Sequence, residues 1–214
     1  AYILGLYFGD AYIKQAGPNK YEFRLQVIDK DLASHVADIL GRISGKDIKV
    51  REVSRKTSGG SPVYEVNLCN EYFKRIIDDT CECKFIPEYV FSWSKELKME
   101  FLRAVMDSDG YISMRTNGFN YNFQCGYSVT FPWVLDIKRL FEDVGIHTQK
   151  IIETSPKPPK KPFYRFGILL KDMITSGFSF YVGRKQKKLD EYRRRHSPDG
   201  TYHRFTHSIK KPNV

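Results

Sequence analysis

The order of apolar and polar residues in the first half of the chain predicts alternating helices and strands. Apolar and polar side chains alternate strictly over residues 20–27, which is the period-two pattern of a half-buried strand. A helical period follows over residues 30–43, where apolar residues recur three and four positions apart. The other elements predicted in this half are a helix that ends at Asp10, strands at 12–14, 48–56 and 63–68, and a helix at 70–78.

The second half repeats this order. Its predicted elements are helices at 94–108 and 132–144, strands at 111–115, 121–130, 149–154 and 163–170, and a basic helix from Lys185. Residues 164–168 (YRFGI) also match residues 64–68 (YEVNL), which indicates that the duplication covers whole domains. We therefore expect an α+β fold of two pseudo-twofold-related αββαββα domains with antiparallel sheets. The domains are residues 1–80 and 94–214, joined by an aromatic and ordered linker at 81–93.

Two apolar stretches, residues 3–11 (ILGLYFGDA) and 102–110 (LRAVMDSDG), are copies of each other. Laying Asp10 on Asp109 also pairs small residues: Gly5 with Ala104, and Gly9 with Ser108. Small side chains at i and i+4 share one helix face, where two backbones can approach closely. Packing these faces together would place both aspartates at one end of the helix pair. Two neighbouring carboxylates repel each other unless a divalent cation lies between them.

This pair of stretches resembles the LAGLIDADG motif of homing endonucleases, in which the last acid of each copy binds catalytic metal. The second copy is the better match, while in the first copy Phe8 replaces the first acid and Ala11 the final glycine. The matching positions of the second copy are Leu102, Asp107, Asp109 and Gly110. The resemblance implies that Asp10 and Asp109 are catalytic metal ligands, with the backbone carbonyls of Ala11 and Gly110 as additional ligands.

The expected cofactor is Mg²⁺, because one or two carboxylates suffice for it and water and phosphate oxygens complete its octahedron. Mn²⁺ would substitute for it, and Ca²⁺ would be a non-cleaving substitute. The alternative is that each aspartate only ends a helix. That placement faces the negative end of the helix dipole and is unfavourable without a cation, so we favour the metal site.

Composition adds a preference for polyanionic partners. The 214 residues carry a net charge of +10 and a pI of about 9.3, which favours nucleic acid but fits any basic protein surface equally well. The four cysteines show no zinc-binding spacing, and free thiols are typical of a reducing compartment. No apolar run reaches membrane-spanning length, so we expect an intracellular protein without a membrane partner. Nucleus, organelle and prokaryotic cytoplasm all remain open.

Two lysines are candidates for steadying the phosphate or polarising water beside the metal. Lys84 and Lys185 follow Asp10 and Asp109 at nearly the same distance in sequence. The resemblance supports both, because residues 84–87 (KFIP) and 184–187 (RKQK) are similar to lysine-containing segments of the family. The alternative is that both are ordinary surface lysines. Asp29, at a position where the family often has a water-ordering glutamine, is expected instead to cap a helix, and Phe131 occupies the matching position of the second half.

The resemblance implies that the two sheets form a saddle whose exposed face lies along the major groove of double-stranded DNA. The candidate base-reading residues of the first half are Lys20, Glu22, Arg24, Gln26, Arg51, Arg55 and Glu65. Those of the second half are Ser113, Arg115, Asn122, Gln124 and Arg165. Lys157, Lys160 and Lys161 are candidate phosphate contacts, which carry no sequence information. For each residue, an ordinary solvated sheet face is the alternative.

The resulting hypothesis is a monomeric, intron-encoded DNA endonuclease that makes a metal-dependent double-strand break with short 3′ overhangs at a long target. Matched positions of the halves differ, as at Glu65 and Arg165, so the half-sites should differ too. One alternative is a maturase that binds its own intron RNA. Another is a DNA-binding regulator that has the same fold and does not cleave.

Overall fold

The structure is a computed structural model of the chain, and it describes residues 1–56, 59–80, 86–117, 120–129, 133–154 and 163–196. Its helices are α1 (Tyr2–Tyr7), α2 (Lys30–Ser44), α3 (Tyr72–Thr80), α4 (Glu88–Phe91), α5 (Lys95–Ser108), α6 (Val134–Asp143), α7 (Leu170–Thr175) and α8 (Gly183–Arg195). Its strands are β1 (Ala11–Gly17), β2 (Lys20–Val27), β3 (Arg51–Lys56), β4 (Pro62–Cys69), β5 (Gly110–Asn117), β6 (Asn120–Val129), β7 (Ile152–Thr154) and β8 (Phe163–Gly167).

Each half builds one four-stranded antiparallel sheet. The strand orders are β1-β2-β4-β3 and β5-β6-β8-β7, so the two halves share one topology. The element order is αββαββα in each half, with α4 between the halves and α8 after the second. This confirms the predicted α+β fold class.

Some predicted boundaries were wrong. The strand predicted from residue 48 begins at Arg51. The strand predicted over 149–154 contains only Ile152–Thr154. Pairing with the end of β8 resumes outside that strand, where the backbone N–H of Gln149 donates to Gly167 O at 2.8 Å beside an isolated Thr148–Ile168 bridge. The strand predicted to end at residue 170 ends at Gly167, and α7 takes over from Leu170.

Residues 86–93 contact both halves. The Tyr89 hydroxyl donates to Asp79 Oδ2 at 3.0 Å in the first half, and the Arg139 guanidinium of the second half lies 4.2 Å from the centre of the Phe91 ring. Val90 between them is fully buried. Among the helices that the structure describes, none combines the length and the apolar character needed to cross a bilayer.

Candidate functional site

The helices α1 and α5 of the two matching stretches pack directly against each other. A Cβ atom added at Gly5 would lie 2.7 Å from the Cβ of Ala104, and one added at Gly9 would lie 2.5 Å from the Cβ of Ser108. Both separations are shorter than any real carbon–carbon contact, so only glycine fits at these positions. The pairs in contact are the same ones that the sequence overlay predicts.

Asp10 and Asp109 follow these contacts directly, so they lie at the same end of the helix pair. Asp10 is exposed and Asp109 is half-buried. The two backbones differ here. Asp109 is the C-terminal cap of α5, whereas α1 ends at Tyr7 and a tight turn carries the chain on to Asp10. The prediction that the first helix runs to Asp10 was therefore wrong. The backbone N–H of Gly9 donates to Leu6 O at 2.9 Å, an i to i−3 bond that closes the helix early.

Asp107 is a buried carboxylate with a role that the sequence did not reveal. Only 2% of its surface is exposed. It accepts hydrogen bonds from the Tyr2 hydroxyl at 2.9 Å and from the backbone N–H groups of Tyr181 and Val182 at 3.1 Å each. Burial raises its pKa, and these donors oppose that rise. Asp107 thus fastens the start of α8 to α5. The signal in the sequence was an acid in an otherwise apolar helical turn.

Phe8 occupies the matching position of the first copy and has the opposite character. Its ring is 1% exposed and meets Phe101 and Trp133 edge to face, with ring centres 5.8 and 5.9 Å apart. The two copies therefore use the same position differently. In the second copy the Asp107 carboxylate binds the start of α8, whereas in the first copy the Phe8 ring fills the core between the halves.

Lys185 does not project into solvent beside the aspartates. It is 3% exposed, and its Nζ donates to the carbonyl oxygens of Met106 and Asp107 at 2.7 Å each and of Ser108 at 3.2 Å. These contacts engage all three protons of an ammonium group. Desolvation lowers its pKa to about 8, against the opposing charge of Asp107. The structure therefore gives Lys185 the role of a cationic cap on the end of α5. Its role beside a metal stays a prediction.

Lys185→Met is expected to destabilise the protein by about 1–3 kcal/mol, because the substitution leaves buried carbonyl oxygens without donors. Urea unfolding at pH 7 measures this. Lys187 lies on the same helix and is exposed. The Lys187→Met control should therefore change stability by less than about 0.5 kcal/mol. Equal stabilities of the two variants would contradict the capping role.

The donor set at the two aspartates suits a hard divalent cation. The predicted set consists of oxygen atoms only: two carboxylates and the backbone carbonyls of Ala11 and Gly110, residues that begin β1 and β5. Mg²⁺ needs no more protein ligands than this. In the described part of the chain, no cluster of three or more His, Cys, Asp or Glu side chains could hold a metal. A metal at this site would depend on both halves.

The polar face of the first sheet is organised around Glu22. Its carboxylate accepts from Arg24 Nη2 at 2.6 Å and from Asn67 Nδ2 at 2.9 Å, and its second oxygen is 3.1 Å from Lys14 Nζ. Glu22 is therefore buried, at 6% exposure, and not free to read a base edge as predicted. Burial raises its pKa, but the hydrogen bonds from these neighbours outweigh this and lower it to about 2.

The neighbouring pairs complete this network. Glu65 Oε2 accepts from Gln26 Nε2 at 2.6 Å and lies 3.6 Å from Arg24 Nη1. Arg51 pairs with Glu65 across β3 and β4, and both Arg51 and Lys20 are exposed. Glu22 and Glu65 thus orient Arg24 and Gln26, which remain partly exposed to a ligand on this face.

Glu22→Gln is expected to destabilise the protein by about 3 kcal/mol at pH 7. This is the free energy that corresponds to the lowering of the Glu22 pKa on folding. Because the folded-state pKa is near 2 and the ordinary value is 4.5, this contribution is complete above pH 4.5. It fades as the pH falls from 4.5 towards 2. Urea unfolding of both proteins at pH 7 and pH 3 tests this. Glu71→Gln, at an exposed position, is the control, and a difference that does not depend on pH would contradict the argument.

The second sheet places its predicted residues on one face. Ser113 pairs with Gln124 and Arg115 with Asn122 across β5 and β6, and Arg165 pairs with Ser128 across β6 and β8. Arg115, Gln124 and Arg165 are exposed, whereas Ser113 is half-buried. Among the residues described, no carboxylate network like that of Glu22 links the side chains of this face.

Six of the predicted residues lie wholly or partly outside the described part of the structure. Lys84, Lys157, Lys160 and Lys161 lie outside the described residues. Arg55 and Asn122 belong to β3 and β6, but their side chains are outside the described part of the structure.

Solved structures that are similar to this chain include several homing endonucleases. A mesophilic variant of the homing endonuclease I-DmoI matches with a TM-score of 0.53 and 17% identity, over 87% of this chain and 93% of that one. The homing endonuclease I-WcaI bound to its DNA recognition sequence matches at 0.59 and 14%, over 88% and 84%. The LAGLIDADG meganuclease I-AabMI bound to uncleaved DNA matches at 0.52 and 10%, over 89% and 88%. The chain has the fold of the LAGLIDADG homing endonucleases.

Similarity in sequence extends to two proteins of Methanocaldococcus jannaschii. An uncharacterized protein is 28% identical over 204 residues, which are 89% of this chain and 70% of that protein. A probable translation initiation factor IF-2 is 28% identical over 194 residues, which are 83% of this chain but only 15% of the factor. No protein-family model matches the chain. Among the solved structures, I-DmoI is known in complex with DNA and Mn and in complex with DNA and Ca.

Proposed function

We propose that this protein is a site-specific DNA endonuclease of the LAGLIDADG homing type. It cuts both strands of a long duplex target in a divalent-metal-dependent reaction and leaves short 3′ overhangs. The single observation that carries the proposal is the close packing of α1 on α5. It leaves no room for a side chain at Gly5 or Gly9 and brings one aspartate from each half to the same end of the interface.

Bound metal would supply charge neutralisation on the phosphate and a positioned water. Asp10 and Asp109 would hold it, with the carbonyls of Ala11 and Gly110. Lys185 counters the negative end of the α5 dipole, and so fixes the backbone that presents Asp109. Asp107 contributes by anchoring the start of α8, from which Lys185 extends.

The two polar sheet faces support duplex DNA as the partner. A two-stranded ribbon fits the major groove, where Arg can pair with guanine and Gln or Asn with adenine. The halves present different side chains at matched positions, so the proposed target has two dissimilar half-sites. The +10 net charge favours association with the phosphate backbone.

The test is cleavage of a duplex library of randomised and genomic fragments by the purified chain, with Mg²⁺, Mn²⁺ or Ca²⁺ as the metal. We expect one family of related sites to be cut in Mg²⁺ and Mn²⁺, and the same sites to be bound but not cut in Ca²⁺. Sequencing of the ends gives the overhang. Selective duplex binding without cleavage in any metal would favour a regulator. Preferential binding of a structured intron RNA over every duplex would favour a maturase.

A further inference from the structure

The first turn of α8 reaches across to the first half of the chain. Arg184 Nε donates to Asp29 Oδ1 at 2.7 Å, and its Nη2 donates to Asp29 Oδ2 at 2.9 Å. The adjacent backbone N–H of Gly183 donates to Asp31 Oδ2 at 2.5 Å. The Asp29 side chain thus accepts two hydrogen bonds from Arg184. It makes no hydrogen bond to the start of α2, although it holds the N-cap position at which we predicted it to act as a cap.

This ion pair lies beside the two aspartates of the candidate site. Asp29 follows the end of β2, and Asp10 precedes the start of β1. These two ends lie together because the strands are antiparallel. The pKa of Arg184 is raised chiefly by its hydrogen bonds to Asp29, and the charges of Asp31 and Asp10 add to this, which places Asp10 within electrostatic reach. The next residue, Lys185, caps the helix that presents Asp109.

The Arg184 guanidinium is held in one orientation and is suited to binding an anion. The pair with Asp29 uses two of the five N–H donors of the guanidinium group. The Arg184 side chain is 54% exposed, whereas that of Asp29 is 14% exposed. A planar guanidinium held on one edge by a carboxylate can still bind a phosphate through its other donors. Since its orientation is already fixed, little rotamer entropy is lost on binding.

The positions of the other half that match Arg184 and Asp29 in sequence carry different residue types. Asp29 comes two residues after the end of β2, and the residue two positions after the end of β6 is Phe131. Arg184 comes directly before Lys185, and the residue directly before the matching Lys84 is Cys83. Neither phenylalanine nor cysteine can form a carboxylate–guanidinium pair. By sequence, the matched positions therefore provide such a pair for one of the two DNA strands.

We propose that Arg184, oriented by Asp29, binds the scissile phosphate of one DNA strand only, so that this strand is cut before the other. The assignment rests on the proposed nuclease function. In this proposal, Arg184 is a catalytic residue for the cleavage of one strand, and Asp29 is a positioning residue for the cleavage of that same strand.

The experiment measures the cleavage rate of each strand separately, in single-turnover reactions with Mg²⁺. The substrate is the duplex recovered from the library, with the 5′ end of one strand or the other labelled. Arg184→Ala should slow one strand by about 100-fold, as for loss of a phosphate-binding donor, and leave the other within about twofold. Asp29→Asn should slow the same strand, and Arg184→Lys should recover part of its rate. Arg194→Ala is the control, because Arg194 is exposed on the same helix and pairs with Glu191.

Thermal unfolding of each variant separates this role from a merely structural one. If Arg184 only joins the halves, Arg184→Ala will slow both strands equally and in step with its loss of stability. That result, or unchanged rates on both strands, would overturn the assignment while the nuclease function stands. If the wild-type protein cuts neither strand of any duplex, the proposed function fails and the assignment fails with it.

Discussion

Asp10→Asn and Asp109→Asn are each expected to lower double-strand cleavage by about 100-fold or more, because each removes one of two carboxylates proposed to hold the metal. DNA binding should persist in both variants, since the candidate base-reading side chains of the two sheets are unchanged. Thermal stability should be unchanged or higher, because removing one of two neighbouring charges relieves their repulsion. Gel-shift, cleavage and thermal-unfolding measurements on the same preparations provide the three readouts.

The matched control is Asp47→Asn, which makes the same chemical change at an exposed position in the loop after α2. It should cut DNA like the wild-type protein. Full activity in either Asp10→Asn or Asp109→Asn would exclude the shared metal site. Loss of binding together with cleavage would instead show that these aspartates organise the DNA-binding surface.

Gly5→Ala is expected to destabilise the protein by about 3 kcal/mol, the upper end of the usual cost of overpacking. The added methyl group would meet both the Ala104 side chain and the backbone of Phe101, which cannot rotate away. This is a large part of the stability of a typical domain. Urea unfolding at pH 7 measures the change, and cleavage should fall as well, because any separation of α1 from α5 displaces Asp10 from Asp109.

The double variant Gly5→Ala with Ala104→Gly removes one of the two clashes and should recover part of the lost stability. Gly41→Ala is the control for introducing alanine into a helix. Its added Cβ would have one close neighbour, Lys46 O at 3.1 Å, and alanine favours a helix by about 1 kcal/mol over glycine. We expect little net change there. A Gly5→Ala protein as stable as Gly41→Ala would show that the helices are not packed as described.

The fold and the main contact of the site were predictable because they depend on local patterns. Period-two alternation predicted β2 with its correct ends, and the overlay of two motif stretches predicted the Gly5–Ala104 and Gly9–Ser108 contacts. These features depend on the spacing of small and apolar residues along the chain. The duplication then predicted the same topology for the second half.

The electrostatic partners were not predictable, because they depend on side-chain geometry and most of them join residues far apart in the chain. Sequence analysis placed Glu22 on an exposed face by its parity, but neighbouring side chains on the sheet bury its carboxylate. It placed Lys185 near the metal by its distance from Asp109, but could not show that three carbonyl groups bind its ammonium. The pairing of Arg184 with Asp29 spans 155 positions and left no local signal.

The position of α8 has a consequence for synthesis of the protein. Both proposed metal ligands and both sheets precede residue 183, yet the lysine that caps α5 and the arginine beside Asp10 come from the last helix that the structure describes. A nascent chain whose α8 is still in the ribosomal exit tunnel therefore lacks these two cations at the candidate site. The candidate centre is completed only when translation has passed this helix.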